Sequence, residues 1–421
     1  MRKHILLMGF MVFIWVLSSG LTYATEPFFV SLGSVQSYTV PYAEQNTLLL
    51  SRDGSYATKV QKGSRITKPG TYYLSQLESD TLKGITKFQI PYNMNQNEWR
   101  IDSEKELTEI LKYTLENYKE KITIKFNKGN YTINQMNEVI YKVLDELMVT
   151  YPKVTYVSYK LTSYGNKAPK ILLEFTYALP HIPTLKQYDK NTDQKIEQLI
   201  KQLIQPGMKD YEREWVLGDY LIKNLIYAKQ ETHLNHTMQG AITEGRAVCD
   251  GYAKSYMYLL NSIGIPTQFV TGVADNIPHA WNLVKLIDGY YHVDLTWADL
   301  EEDHIGNFYN YFNETDTYME LTHIWEEGHF PKAEGKKYLS IYSPIPREGI
   351  YKVSSQKEWQ ALKKQLGQDG LKEANIIFYN VGEERWSIES VLDSILKVEQ
   401  TDITYSAYYK YDSLIINYKG H

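Results

Sequence analysis

Cysteine is all but missing from this sequence: Cys249 is the single one in 421 residues. One cysteine excludes an intramolecular disulfide and any cysteine-rich zinc or iron–sulfur centre. Charge of one sign is not in excess either, since 45 Lys+Arg stand against 50 Asp+Glu, a formal charge of -5. That balance gives no electrostatic footprint for nucleic acid, and no nucleic-acid partner is expected. Past the first two dozen residues no run is long and apolar enough to cross a bilayer, so no transmembrane domain is expected in the mature chain. What the sequence does have is 37 tyrosines in a composition that is 43% apolar and 23% charged, that of a folded globular protein. Its length allows two to four domains.

At the N-terminus Arg2, Lys3 and His4 precede an apolar run from Ile5 to Leu17. This layout predicts a signal peptide over residues 1–24, with Thr22 and Ala24 at an imperfect cleavage site. An exported chain without disulfides suits a bacterial envelope or medium, as a secreted or envelope-associated protein. Residues 28–92 consist of short apolar stretches broken by Asp53-Gly54, Lys62-Gly63 and Pro69-Gly70, and read as a small all-β domain, a spacer or binding module.

Residues 99–180 and 350–419 read as two copies of one α/β module. Ser103, Glu106, Ile124 and Phe126 match Ser355, Glu358, Ile376 and Phe378 at a constant offset of 252. Val143-Leu144-Asp145 then matches Val391-Leu392-Asp393 at 248, Thr155-Tyr156 matches Thr404-Tyr405 at 249, and Leu173 aligns with Ile416 at 243. Pro180, Pro183, Pro344, Pro346 and Gly349 punctuate the joints and leave a central domain over 185–343. Within it, Leu217, Leu221 and Leu225 mark one amphipathic helix. Tyr252, Tyr256, Leu259, Leu260 and Ile263 mark another, ended by Gly264 and Pro266.

Cys249 stands at the start of that second helix, where unpaired N–H groups and the helix dipole favour a thiolate. The competing reading of a lone cysteine is a small buried hydrophobe. Downstream, His279 to Asn282 opens an apolar strand, and Tyr291 to Trp297 returns after Asp288-Gly289, a hairpin signature. A nucleophilic thiol needs a base, and the base needs an acceptor to orient it; His279 and Asp294 are the candidates. A tight turn at Asp288-Gly289 would set Asp294 opposite Leu283, leaving His279 and Asp294 on the order of 13 Å apart along the strands. Contact therefore demands a turn centred nearer Leu286-Ile287 or a bulge, and such an irregularity is expected.

At these residues the sequence resembles the transglutaminase-like superfamily, relatives of papain-type cysteine proteases. The matching text is Gly240-Ala241, Ala247-Val248-Cys249-Asp250-Gly251-Tyr252-Ala253, His279-Ala280-Trp281-Asn282 and Val293-Asp294-Leu295-Thr296-Trp297, continuing through Tyr311-Phe312 and His323-Ile324-Trp325. The resemblance implies Cys249 as nucleophile, His279 as general base and Asp294 as orienting residue. It also implies an α+β fold: a cysteine-bearing helix packed on an antiparallel sheet, here flanked by the two α/β modules and the all-β domain.

An oxyanion needs donors, and the Cys249 backbone N–H is one. Gln239 stands where many relatives carry an aromatic residue and is the candidate for the other; a surface turn residue is the alternative. Tyr252, Trp281 and Trp297 complete the candidate oxyanion and cleft residues, with the tryptophans either walling the cleft or filling the sheet's core. No metal or cofactor is expected: His233 and His236 lack a third ligand, and Asp299, Glu301, Glu302 and Asp303 lack the ligand alternation of a calcium loop. The expected function is cysteine-dependent acyl transfer on protein or peptide amides, by transamidation or hydrolysis. A catalytically silent scaffold that binds protein or cell-wall polymers through its tyrosines is the alternative.

Overall fold

The computed structural model describes residues 28–40, 47–52, 56–61, 63–67, 70–78, 81–90, 97–127, 131–165, 170–299, 311–340, 350–369, 373–379, 381, 386–399, 403–411 and 413–420. The expected signal peptide, Glu301, Glu302, Asp303, Pro344 and Pro346 lie outside these residues. Among them no helix is long and apolar enough to cross a membrane.

The N-terminal unit is all β: β1 (Phe29–Ser34), β2 (Tyr38–Thr39), β3 (Thr47–Arg52), β4 (Tyr56–Lys59), β5 (Arg65–Ile66), β6 (Gly70–Glu78) and β7 (Thr81–Ile90). Its main sheet runs β1-β7-β6-β3-β4. Strand alternation gives it two buried faces. Tyr72, Leu74, Phe88 and Ile90 pack on one side, while Phe29, Tyr73 and Ile85 join the core of the central unit on the other. The unit is thus docked through an apolar face, which a free spacer would leave to water.

Two α/β units share one topology. The first is β8 (Glu98–Ile101), α1 (Glu104–Glu116), β9 (Lys121–Phe126), α2 (Ile133–Thr150), β10 (Tyr156–Tyr164) and β11 (Lys170–Tyr177), in sheet order β10-β11-β9-β8. The C-terminal unit, whose strands and helices are numbered below, repeats that order. The N-cap of α1 is Ser103, whose hydroxyl accepts from Glu106 N at 3.2 Å while the Glu106 carboxylate accepts from Asp102 N. The same pair recurs 252 residues on, with Ser355 accepting from Glu358 N at 3.3 Å and Glu358 accepting from Ser354 N.

The central unit comprises α3 (Ile182–Leu203), α4 (Asp210–Asn224), β12 (Ile226–Tyr227), α5 (Met238–Glu244), β13 (Arg246–Ala247), α6 (Cys249–Ser262), β14 (Thr267–Ala274), β15 (Ile277–Leu286), β16 (Gly289–Val293), α7 (Leu295–Ala298), β17 (Phe312–Glu314), α8 (Asp316–Met319) and β18 (His323–Trp325). The boundary expected at Leu185 falls inside α3. Pro183 sits in that helix's first turn, where its missing N–H costs nothing, so it opens a helix rather than a linker. An antiparallel sheet, β17-β16-β15-β14-β18, carries α6 on one face. Ala253 and Met257 of α6 pack on Phe269 and Ala280, with Cys249 at the margin of the cluster. Asn282 on β15 donates to the Ala253 carbonyl at 2.9 Å and so pins helix to strand.

The C-terminal unit is β19 (Ile350–Val353), α9 (Gln356–Asp369), β20 (Glu373–Phe378), α10 (Ile388–Glu399), β21 (Ile403–Lys410) and β22 (Ser413–Gly420), ordered β19-β20-β22-β21. In both units the first two strands pair in parallel, Trp99 opposite Ile124 and Tyr351 opposite Ile376, at the expected offset. The last hairpin corrects the sequence alignment. Ile124 faces Ile171, and its counterpart Ile376 faces Ile416, an offset of 245 in place of 243. A slip of two residues keeps every side chain on its own face, so alternation alone could not detect it.

Candidate active site

Cys249 is the first residue of α6, preceded by the extended N-cap residue Val248, so its sulfur stands at the helix's unpaired N–H groups. Gly251 makes that seat possible: a Cβ there would lie 2.3 Å from the Asn235 carbonyl oxygen, so a side chain would push the helix start off the loop beneath it. His279 projects from β15, and Asp294 follows β16 as the N-cap of α7.

The hairpin joining them is regular. Leu286 pairs with Gly289 and Asn282 with Val293, so its two-residue turn is Ile287-Asp288, one residue earlier than Asp288-Gly289. Gly289 belongs to the strand, and Tyr291 and the Lys336 and Lys337 backbone donate to the Asp288 carboxylate, which fixes the turn. This shift brings Asp294 two residues nearer to His279, and no bulge in the hairpin is needed. The irregularity lies across the other edge of β16, where Asn313 at φ 58° is inserted between the Glu314 and Phe312 pairings.

His279 Nε2 lies 2.7 Å from Asp294 Oδ2. Burial by itself would lower the His279 pKa, but hydrogen bonds to Asp294 and Cys249 outweigh it and raise the ring to about 10. With Nε2 engaged by the carboxylate, Nδ1 is the ring nitrogen left for the thiol. Asp294 is wholly buried. Its desolvation is outweighed by His279 and His323, which hold its carboxyl below the usual range. Its other oxygen, Oδ1, accepts from the backbone N–H of Thr296 and Trp297 at 3.0 and 3.1 Å.

The remaining predicted residues divide. Trp297 is half-buried with its ring 5.8 Å from that of His279, so it borders the base. Trp281 is core: it is 1% exposed, stacks on His279 at 6.1 Å, and donates Nε1–H to His292 Nδ1, whose Nε2 meets Asp316 at 2.9 Å. Tyr252 is also buried, with its hydroxyl on Asp299, so it supports the site from beneath. Gln239 is fully buried and its amide donates to Asp189 of α3 at 3.1 Å, so the expected oxyanion donor is committed elsewhere. His236 bonds Asp250 at 2.9 Å and is drawn into no histidine pair with His233.

Sequence reasoning missed two residues. Tyr227, paired with Ala247 two positions before the cysteine, is exposed; burial of part of its ring and the neighbouring Cys249, Glu231 and Asp250 raise its pKa. Its short strand carried no periodic signal. His323 is fully buried on β18, with Nε2 3.1 Å from Asp294 Oδ2. Its place in a conspicuous aromatic segment was visible, but only the sheet order could bring it to Asp294. Among the described residues, His279, Asp294 and His323 could also hold a metal ion, with one ligand atom from each within 4.8 Å of the others. An ion there would need both ring Nε2 atoms without their protons, so it would replace the hydrogen bonds that now hold the two histidines on Asp294.

Residues 197–295 match the model of the transglutaminase-like superfamily. No curated protein matches the chain. Similar solved structures include a TGase, 14% identical over 57% of this chain and 71% of that one, with TM-score 0.23. A candidate cysteine protease from Cytophaga hutchinsonii is 16% identical over 34% of this chain and 65% of that one, with TM-score 0.22. A candidate protease from Parabacteroides distasonis is 8% identical over 71% and 66%, with TM-score 0.19.

Proposed function

With a transglutaminase-like domain over residues 197–295 as the premise, we propose that this protein is an exported cysteine-dependent acyl-transfer enzyme acting on protein or peptide amides. The observation that carries the reading is His279, held at 2.7 Å by a buried Asp294 and kept in its charged form by Asp294 and by Cys249, which stands at the start of α6. In this mechanism Cys249 Sγ attacks an amide carbonyl and the thiol proton passes to His279 Nδ1. The proton then goes to the leaving nitrogen as the C–N bond breaks, which leaves an acyl-thioester. An amine or water attacks the thioester next, returns a proton through His279, and frees the thiol. Asp294 keeps the ring's tautomer and stabilises its charged form. The Cys249 N–H, at the helix terminus, supports the oxyanion.

Export rests on the charged head and apolar run of residues 2–17, and the two α/β units, with matching caps and strand order, support a duplicated module around the catalytic domain. The test is the pH dependence of iodoacetamide alkylation of Cys249 in the wild type and in His279→Ala. A rate plateau reaching below about pH 7 that vanishes in the variant is expected. Identical profiles rising only near pH 8.5 would sink the mechanism.

A further inference from the structure

We propose that His323 is a fourth member of the site, a positioning residue that acts through Asp294, so that two histidines share one carboxylate oxygen. This inference rests on the acyl-transfer reading and deepens it. His279 Nε2 and His323 Nε2 meet Asp294 Oδ2 at 2.7 and 3.1 Å, while Oδ1 takes the two backbone N–H groups of α7. All four hydrogen bonds favour the ionised carboxylate and together leave it no freedom to rotate.

The placement of His323 is built from both sides. Its Nδ1 lies 2.8 Å from the Thr322 hydroxyl, which fixes the ring's rotation and leaves Nε2–H to donate to Asp294. The rings of Trp281, Trp297 and Tyr311 lie 4.9, 4.8 and 5.6 Å away and close the space around it. Beneath, β18 approaches β14 at Gly272, where a Cβ would stand 2.2 Å from the Ile324 carbonyl oxygen. A histidine packed only for bulk would need neither the ring orientation nor the carboxylate.

The chemical consequence is specific. When His279 takes the thiol proton its ring must stay aimed at the sulfur while it becomes a cation. A carboxylate tied at one oxygen to backbone and at the other to a second imidazole can neither swing away nor accept a proton from His279 without losing bonds. His323 never touches the substrate. It fixes the group that fixes the base.

The experiment uses iodoacetamide alkylation of Cys249 against pH in four proteins: wild type, His279→Ala, His323→Gln and His323→Asn. The Gln amide nitrogen reaches the position of Nε2, whereas the Asn amide stops near Nδ1, so the two differ in the donor and not in polarity. We expect the wild-type plateau to persist in His323→Gln, and alkylation at pH 6 to fall on the order of tenfold in His323→Asn. A His323→Asn profile identical to wild type, where His279→Ala has lost the plateau, overturns the role of His323 alone. Wild-type and His279→Ala profiles that coincide overturn the acyl-transfer reading, and this inference with it. A nitrogen–proton correlation spectrum of the wild-type histidine rings needs no variant. His323 protonated at Nε2 is expected, and an unprotonated Nε2 overturns the proposal.

Discussion

Glu214 on α4 is a wholly buried carboxyl whose Oε2 accepts from Asn313 Nδ2 at 3.0 Å and whose Oε1 has no hydrogen-bond partner among the described residues. Desolvation raises its pKa to about 8. An acid whose folded pKa is raised binds its proton more tightly in the native state, so its contribution to stability is whole below about pH 4.5 and is lost as the pH rises to about 8. His279, also raised, adds a second loss in the same direction, from about pH 6.5 up to about 10. The wild type should therefore lose stability steadily from pH 5 towards pH 10. Glu214→Gln keeps the acceptor for Asn313 and removes the titration. Denaturant midpoints should fall less steeply between pH 5 and 8 in this variant, by up to about 1.4 kcal/mol per pH unit, while the loss above pH 8 remains. Equal slopes in both proteins would show that Glu214 is ionised at neutral pH.

At the scale of elements, glycines decide how closely strand and helix approach, and Gly272 decides it for β18. Gly272→Ala would set its Cβ 2.2 Å from the Ile324 carbonyl oxygen and 2.9 Å from the Trp281 ring. Either β18 or Trp281 must move. Overpacking of this kind costs about 1–3 kcal/mol, measurable as a lowered denaturation midpoint. Since β18 carries His323 and Trp281 stacks on His279, the alkylation plateau of Cys249 should shrink in the same variant. A full loss of stability with an unchanged plateau would separate the strand's packing from the site. The sequence carried the elements around this point well, because the apolar residues of α6 recur with a helical period, although the helix is in fact buried on every side, and β15 and β16 flank a turn dipeptide. What it could not carry was register. Asp288-Gly289 is a strong turn signal, yet the turn is Ile287-Asp288, because the Asp288 carboxylate accepts from nearby Tyr291 and from the backbone of Lys336 and Lys337, the last two far along the chain. The same limit explains Gln239, whose role depends on Asp189, fifty residues away and on another helix.

Across the whole molecule the units share an apolar core, to which Ile377 and Ile415 of the C-terminal unit also belong, and polar contacts that local patterns do not announce are added to it. One such joint ties the C-terminal unit to the central antiparallel sheet. Lys410 and Tyr411, at the tip of the β21–β22 hairpin, reach Glu314 on β17, with Lys410 Nζ 2.5 Å and the Tyr411 hydroxyl 2.9 Å from its carboxylate, and Ser340 donates at 2.8 Å. Both charged side chains are at most 1% exposed. Burial raises Glu314 to about 7 and lowers Lys410, so desolvation outweighs the pairing for each partner. Such a pair adds little net stability but is costly to break from one side, because the remaining charge has neither water nor counterion. Lys410→Met should therefore cost about 3–5 kcal/mol at pH 8. The sign with pH follows from Glu314: without the ammonium its folded pKa climbs further above the unfolded value of about 4.5, so the defect should shrink as the pH is lowered to 5 and the carboxyl is neutralised in the native state. Lys410→Met combined with Glu314→Gln should recover most of the loss at pH 8, since no charge is then left buried. Glu314 pairs with His292, which holds Trp281 beneath His279, so disturbance at this joint has a short path to the site. The chemical denaturation of the single and double variants at pH 5 and pH 8 checks both the magnitude and the sign. A defect in Lys410→Met that is the same at both pH values would mean that the joint is held by the packing of the hairpin and not by its charges.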